Sequence, residues 1–252
     1  MKLYSIPSRD VNDAKFCMTP EFTPTIDPEI YAAWPDYCAI SVVADGLVNL
    51  VRHPAVDHYL EEAVRRPQPA PWTEGHLEAW RSAYRLFGAK PQRTPCSVEA
   101  LLTRLHKEGQ LPRVSAIVDL YNAISVRYAI PVGGENRLAY VGRPRLVRSS
   151  GTDTFETTRD GATLVEAVPP GEVVWKDDRG VTCRRWNWRQ GVRTRIDLDT
   201  RDTWFVLERL APMPVEAALD GARALVEALR QLSPDSRFAI SLCDRAGTTV
   251  IT

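Results

Sequence analysis

The spacing of apolar residues divides the chain into a helical first half and a strand-rich second half. Cys38 to Leu50 begins with apolar, partly β-branched residues and reaches a turn at Asp45-Gly46, which predicts a buried strand. Apolar residues three and four positions apart then predict helices over Pro54–Arg66, His76–Gly88, Ser97–Gly109 and Asp119–Arg127.

From Leu138 onward, short alternating runs separated by Gly, Pro and Asp predict an antiparallel sheet. Lys176 to Gly180 predicts a hairpin connection, Val215 to Leu232 predicts a long helix, and the final FAISLCDRAGTTVIT predicts one strand and a tail. The fold class is therefore predicted to be α+β, with a mostly antiparallel sheet flanked by helices. Its strands are predicted in LAYVG, RLVR, TFETT, ATLVEAV, GEVVWKDD, TCRRWNWR, TRIDLDT and TWFVLERL.

Proline content separates the start of the chain from the rest. Residues 1–36 contain five prolines and no lasting period, which predicts an N-terminal arm that wraps the surface. Residues 37–252 are predicted to form a single domain, with PQPAPW (67–72) as a rigid linker between two helices. The 44% hydrophobic content is sufficient for a full core without disulfides or metals.

Charge and cysteine usage narrow the class of protein. Lys plus Arg and Asp plus Glu number 32 each, which argues against DNA or other nucleic acid being coated through bulk charge. The five cysteines are scattered, so we expect no disulfide framework. No apolar run reaches the roughly 20 residues of a membrane span, and MKLYSIPSRD lacks signal-peptide features. We therefore expect a reduced, cytoplasmic protein with no membrane partner.

Most motifs for metal, nucleotide or nucleophile chemistry do not occur in the sequence. His53 and His58 are five residues apart, not the four that would place both on one helix face, and no cysteine pair lies nearby. We interpret the four histidines as surface or helix-end residues and expect no metal. Phosphate-binding loops and a G-x-S-x-G elbow are also missing, so no cofactor is expected.

The segment PVGGEN (131–136) is one candidate for a site. A turn at Gly133 and Gly134 would let backbone N–H groups point at a ligand, with Glu135 and Asn136 directly after it. The alternative is an ordinary surface turn, which the composition of the segment favours.

The segment CRRWNWRQG (183–191) is the second candidate. As a strand it would place Arg184, Trp186, Trp188 and Gln190 on one face, with Arg185, Asn187 and Arg189 on the other. Such a density of Arg and Trp suits a site that stacks and clamps a nucleotide or an aromatic ligand. The alternative is a solvent-facing basic strand backed by core tryptophans.

These two segments, in their order and spacing, resemble the B3/4 editing domain of phenylalanyl-tRNA synthetase beta subunits. The resemblance runs from about Ala83 to Leu210 and includes the stretch Ile117-Val118-Asp119, then Asn122, then the proline turn at Pro131. The chain departs from the synthetase pattern at Gly133, where many synthetases have histidine, and at Asn136, where they have an acid. Trp, Arg and Gln also replace a glycine-rich run.

The resemblance implies a trans-editing aminoacyl-tRNA deacylase that hydrolyses the amino-acid ester on the 3′ end of a mischarged tRNA. It implies that the backbone N–H groups of Gly133 and Gly134 stabilise the oxyanion, and that Glu135 or Glu172 orients the water or the α-amino group. The residues implied to bind the amino acid are Asn122 and Ser125; those implied to bind the terminal adenosine are Trp186, Trp188, Arg189, Gln190 and Thr194.

Two other functions stay open. One is a non-catalytic module of the same fold that binds tRNA or an amino acid. The other is a small-molecule hydrolase that does not bind tRNA, which the neutral net charge allows. The sequence also leaves open a homo-oligomer, the amino acid removed and the tRNA used.

Overall fold

The computed structural model describes residues 22–65 and 69–251. Residues 1–21, which include Cys17 and most of the predicted arm, lie outside the described residues, as do residues 66–68 at the junction of the first predicted helix and the PQPAPW linker. The helices of the described part are α1 (Pro28–Ala33), α2 (Pro54–Arg65), α3 (Thr73–Leu86), α4 (Ser97–Glu108), α5 (Ala116–Tyr128) and α6 (Val215–Leu232). The strands are β1 (Thr25–Ile26), β2 (Cys38–Asp45), β3 (Val132–Asn136), β4 (Arg145–Arg148), β5 (Thr154–Arg159), β6 (Ala162–Ala167), β7 (Val173–Lys176), β8 (Val181–Arg184), β9 (Arg189–Gln190), β10 (Thr203–Arg209), β11 (Arg237–Asp244) and β12 (Gly247–Ile251).

A five-stranded antiparallel sheet lies at the centre of the molecule. Its strand order is β12-β11-β2-β10-β3, so β2 and β10 are interior strands with neighbours on both sides. Both strands have apolar side chains on both faces because each face packs against a separate cluster of buried residues. β3 pairs with β10 alone in this sheet, which places Val132–Asn136 at the sheet edge.

The helices α2, α5 and α6 cover one face of this sheet. Helix α6 places Leu219, Leu225 and Leu229 on its buried stripe, and burial of each such side chain stabilises the fold by about 2 kcal/mol. Helix α5 is buried over most of its circumference because it packs against α2, α4, α6 and the sheet edge. It ends at Ala129, which adopts a left-handed conformation with φ 51°.

The opposite face of the central sheet carries a core rich in aromatic residues. Trp80, Trp175, Trp186 and Trp204 are all fully buried there. They fill the space between α3 and a second sheet of seven strands, ordered β1-β4-β7-β8-β5-β6 with β9 beside β8. The pairs β1–β4 and β5–β8 are parallel and the remaining pairs are antiparallel.

The α+β class and the predicted helices are confirmed, whereas several strand predictions were wrong. LAYVG begins in a short 3-10 helix, Arg137–Ala139, rather than a strand. TRIDLDT is irregular because the Asp197 carboxylate accepts hydrogen bonds from Thr200 Oγ1 at 2.7 Å and Asp199 N at 3.1 Å, which closes a local turn. The predicted C-terminal tail forms β12, and the strands form two sheets rather than one.

The described part of residues 1–36 packs on the second sheet. Asp27 caps α1 by accepting a hydrogen bond from Glu29 N at 2.8 Å, and Pro28 occupies the first turn. Strand β1 pairs with β4, and Ile30 is fully buried. The domain boundary at residue 36 stays a prediction. None of the helices in the described residues is both long and apolar enough to cross a membrane.

Candidate functional site

A cavity of about 330 Å³ opens between α4, α5, β3, β10 and the segment that joins β8 to β9. Two larger grooves, of about 830 and 890 Å³, lie elsewhere on the described surface, but no buried carboxylate lines either of them. The smaller cavity joins both candidate segments of the sequence. Its lining includes Ser97, Arg104, Tyr121, Asn122, Gly133, Glu135, Trp175, Cys183, Trp186, Asn187, Trp188, Gln190 and Glu208.

The segment predicted as a glycine turn is instead the edge strand β3. Glu208 N donates to Pro131 O at 3.0 Å, and the antiparallel register places Val206 opposite Gly133. Hydrogen-bonded pairs alternate along such a ladder, so the Gly133 N–H points at β10 and not into the cavity. This geometry does not support the role implied for that N–H as an oxyanion donor.

The two glycines of β3 face opposite sides of the sheet. A Cβ added at Gly134 would lie 2.9 to 3.0 Å from Tyr121, Ile196 and Phe205, so the glycine permits close packing in the helical core. A Cβ at Gly133 would meet only Val206, at 3.5 Å, and Gly133 lines the cavity. Gly134 does not line it, and its carbonyl accepts a hydrogen bond from Gln190 Nε2 at 2.8 Å.

Glu135 brings a buried carboxylate to the cavity. Its exposed fraction is 4%, and it accepts a short hydrogen bond from the Tyr140 hydroxyl, which lies 3.2 Å from Thr182 Oγ1. Burial raises the pKa of Glu135 to about 7, although the hydrogen bond from Tyr140 acts in the opposite direction. No Lys or Arg of the described residues forms an ion pair with it, so Glu135 titrates near neutral pH.

A second buried carboxylate, Glu208, lies on the same face of the sheet. Its Oε1 accepts from the Tyr37 hydroxyl at 2.8 Å and from Trp175 Nε1 at 3.0 Å, and its Oε2 accepts from Asn187 Nδ2 at 3.0 Å. Burial raises its pKa, and these three donors oppose the rise. Glu208 was not among the predicted site residues, although an acid within an apolar strand indicates a buried carboxylate.

The predicted continuous strand in CRRWNWRQG is wrong. β8 ends at Arg184, and the chain reverses because Arg185 and Trp186 adopt left-handed conformations with φ 47° and 66°. Trp186 is thereby buried against other aromatic rings, with Trp34, Tyr37 and Trp80 at centroid distances of 4.7 to 5.1 Å.

Trp188 lies at the rim of the cavity and is partly exposed. The Arg185 guanidinium lies 4.3 Å from the centroid of its ring, and the Arg189 guanidinium lies 5.9 Å from it. Arg189 itself does not line the cavity; its side chain donates to Thr158 O at 3.4 Å. The rim therefore combines one indole face with two positive charges.

Helix α5 reaches the cavity through Tyr121 and Asn122. The exposed fraction of Asn122 is 9%, and its side-chain amide makes no hydrogen bond with any other described residue. Ser125, one turn later, faces elsewhere, since its hydroxyl donates to Ile130 O at 2.6 Å and is fully buried. The amide atoms of Asn122 are not among the fully buried unpartnered atoms of the described residues, so they face the cavity and are available to a ligand there.

Glu172 and Thr194 lie outside the cavity lining. Glu172 forms a bidentate ion pair with Arg184, with both N–O distances at 2.8 Å and both side chains buried. Thr194 is fully buried beside Glu135, and its backbone carbonyl accepts from Asn136 N at 2.7 Å. The structure thus brings together Asn122, Gly133, Glu135, Trp186, Trp188 and Gln190 and leaves Ser125, Gly134, Glu172, Arg189 and Thr194 outside the lining.

The interpretation of all four histidines as surface or helix-end residues was wrong for His76. It is fully buried, its Nδ1 lies 2.8 Å from Ala129 O, and its Nε2 accepts from Trp80 Nε1 at 3.0 Å. Burial lowers the pKa of His76 to about 4, so it is a neutral structural residue that joins α3 to the end of α5. No group of three or more His, Cys, Asp or Glu residues in the described ranges could hold a metal.

Comparison with known proteins assigns the chain to a domain family. The B3/4 domain family matches residues 79–222, more than half of the chain. The chain belongs to the B3/4 domain family. Its fold is similar to that of an N-terminal fragment of the phenylalanyl-tRNA synthetase beta subunit from Pyrococcus horikoshii, with a TM-score of 0.51 and 8% identity.

The match to that fragment covers 92% of this chain and 54% of the fragment, so the chain spans about half the length of the solved relative. At 8% identity the likeness shows the fold alone. No curated protein sequence matches the chain. Every residue that lines the cavity falls within the matched B3/4 region.

Proposed function

We propose that this chain is a trans-editing aminoacyl-tRNA deacylase whose active site is the cavity between α5, β3 and the β8–β9 segment. The observation that carries the proposal is the pairing of a buried carboxylate, Glu135, with an unpartnered buried amide, Asn122, in one cavity of a B3/4 domain. Its volume of about 330 Å³ lies at the small end of ligand sites, which suits an aminoacyl group.

The reaction requires little chemistry from the protein because an aminoacyl ester is already activated. The site must hold the ester carbonyl, admit a water and reject the wrong amino acid. Asn122 Nδ2 is suited to hold the carbonyl oxygen, since this amide lines the cavity with its hydrogen-bonding capacity unused. Asn122 thus takes the oxyanion-binding role that the N–H of Gly133 cannot fill. Glu135 supplies the ionisable group beside it.

The rim is suited to the terminal adenosine of a tRNA. The half-buried ring of Trp188 offers a surface on which a base can stack, and Arg185 and Arg189 offer positive charge for the adjoining phosphate. Because the net charge of the chain is zero, we expect contacts with tRNA to be confined to such local positive groups. A tRNA substrate would also place the protein in the cytoplasm.

One observation favours a second candidate, a non-catalytic module that binds tRNA or an amino acid. The Gly133 N–H points at β10 and Gly134 lies outside the cavity lining, so neither of the two expected oxyanion donors is directed into the cavity. Such a module would use the same cavity and rim without turnover.

The deciding experiment measures release of labelled amino acid from a panel of mischarged tRNAs. We expect turnover on at least one member, and a loss of about a hundredfold for Asn122→Ala if the amide holds the oxyanion. Gly133→Val should also block turnover by filling the cavity. Glu216→Gln, on the exposed face of α6, is the control. Binding of tRNA without turnover on any member would favour the non-catalytic module, and no tRNA affinity at low salt would favour a small-molecule hydrolase.

A further inference from the structure

The charges that line the cavity are unbalanced. Among its lining residues, Glu135 and Glu208 are buried acids, and neither forms an ion pair with any described Lys or Arg. The one cationic lining residue, Arg104, is about half exposed and is already paired with Glu108 at 2.8 Å. When Glu135 is ionised, the cavity interior therefore carries a negative charge that no ion pair of the described residues neutralises.

The two acids are separated along the sheet. Glu208 lies opposite Pro131 and Glu135 opposite Trp204, which places them on one face about 13 Å apart along the strand. Gly133 lies between them and has no side chain to fill the gap. Glu208 already accepts three hydrogen bonds. Glu135 accepts one hydrogen bond from a described residue, the Tyr140 hydroxyl. Glu135 is therefore the acid with capacity for a further donor.

The walls also favour a positive charge. Tyr121, Trp175, Trp186 and Trp188 line the cavity, and the faces of aromatic rings attract cations. A ligand ammonium group would relieve the cost of an uncompensated buried carboxylate. A ligand carboxylate would increase that cost.

We infer that Glu135 binds the free α-ammonium group of the aminoacyl moiety, so that the site accepts aminoacyl esters and excludes both N-acylated esters and free amino acids. This inference rests on the proposed function and decides between the two roles that the sequence left to a glutamate, the water and the amino group. Glu172 is excluded from either role by its ion pair with Arg184.

The inferred selectivity has a consequence for product release. The bound ester carries a single positive charge, whereas hydrolysis produces a free amino acid with an added carboxylate. Glu135 and Glu208 repel that carboxylate, because like charges in a poorly solvated site destabilise each other. The charge change that accompanies the reaction therefore drives the product out of the cavity.

The test uses non-hydrolysable probes, so that it does not depend on turnover. The probes are 3′-aminoacylamino-3′-deoxyadenosines of all twenty amino acids, their N-acetyl derivatives and the corresponding free amino acids, with binding measured by calorimetry. We expect the best cationic probe to bind at least about tenfold more tightly than its N-acetyl derivative and its free amino acid. Glu135→Gln should remove this preference, and Glu216→Gln, on exposed α6, should retain it.

Each outcome separates this inference from the proposed function. Equal binding of the amine and its N-acetyl derivative, or no binding by any amine, would overturn the ammonium site. Hydrolysis of N-acetyl-aminoacyl-tRNA as fast as aminoacyl-tRNA would also overturn it while leaving the deacylase intact. Selective binding of the amine without turnover on any mischarged tRNA would support the ammonium site and contradict the deacylase. A Glu135→Gln protein that unfolds would be replaced by Tyr140→Phe, which should weaken the same preference.

Discussion

Two buried glutamates, both implied by sequence as catalytic, lie in opposite electrostatic environments. Glu172 faces Arg184 in a bidentate ion pair, with Glu166 and Arg185 as further charged neighbours. Glu135 is equally buried but faces a cavity and has only neutral hydrogen-bond donors at its carboxylate. Arg184 compensates the charge of Glu172 within the protein. No described Lys or Arg forms an ion pair with Glu135, so its charge is available to a ligand. If the proposed function is correct, the presence of a charged partner, rather than burial, distinguishes the structural acid Glu172 from the functional acid Glu135.

The largest expected effect is on the ion-paired glutamate. Glu172→Gln leaves Arg184 buried with an incomplete set of partners, and we expect a loss of about 3 kcal/mol in the free energy of unfolding. Urea denaturation would measure it. The control is Glu156→Gln on β5, whose more exposed pair with Arg179 should contribute less than about 1 kcal/mol. Equal losses in both variants would contradict the assignment of Glu172 as a structural acid.

The second effect concerns the pH dependence of stability at Glu135. Burial raises its pKa from 4.5 to about 7, so the native state binds the proton more tightly than the unfolded state. Stability from this group is therefore lost as pH rises from about 4.5 to 7. We expect Glu135→Gln to gain about 2 kcal/mol relative to the unmodified protein between pH 5 and pH 8. Denaturation of both proteins at pH 5 and pH 8 tests this, and an advantage of Glu135→Gln that is larger at pH 5 than at pH 8 would contradict it.

A smaller effect separates the two glycines of β3. Gly134→Ala places a Cβ 2.9 Å from Tyr121 Cε1 and should cost about 1–3 kcal/mol of stability. Gly133→Ala has an ordinary contact with Val206 at 3.5 Å and should cost less than about 1 kcal/mol. Thermal unfolding of the two variants side by side measures the difference. Equal stability would show that β3 does not separate the helical core from the cavity.

The smallest effect is expected at the rim. Trp188→Ala should weaken tRNA binding by about 1 kcal/mol, since it removes one stacking surface, while the stability of the partly exposed site changes little. Filter binding with uncharged tRNA at low salt measures it. A loss of stability without loss of binding would assign Trp188 to the core instead.

Much of the fold was predictable because it follows from local periodicity. Helix α6 is predicted at both ends by its apolar stripe, and β10 is predicted in TWFVLERL as one of the short runs between turns. The errors arose where a non-local contact or a side chain overrode the local pattern. Gly-Gly looks like a turn in isolation, yet pairing with β10 extends it into a strand. Left-handed Arg185 and Trp186 could not be foreseen, because non-glycine residues rarely adopt that conformation.

The candidate site was predictable in its segments and less so in its residues. The resemblance selected β3 and the β8–β9 segment, and six of the proposed residues line one cavity. The sequence could not show which of Glu172 and Glu135 is neutralised, because the partner of Glu172, Arg184, is twelve residues away at the end of β8. It also could not show that Glu208, across the sheet from Pro131, reaches the same cavity.

The most direct test compares three proteins in one assay: the unmodified chain, Glu135→Gln and Glu172→Gln. Deacylation of the mischarged-tRNA panel would be measured per folded molecule, at a temperature where all three remain folded. We predict that Glu135→Gln loses activity by about tenfold or more while Glu172→Gln retains it. Full activity in Glu135→Gln, or loss in folded Glu172→Gln alone, would contradict the assignment of the cavity as the active site.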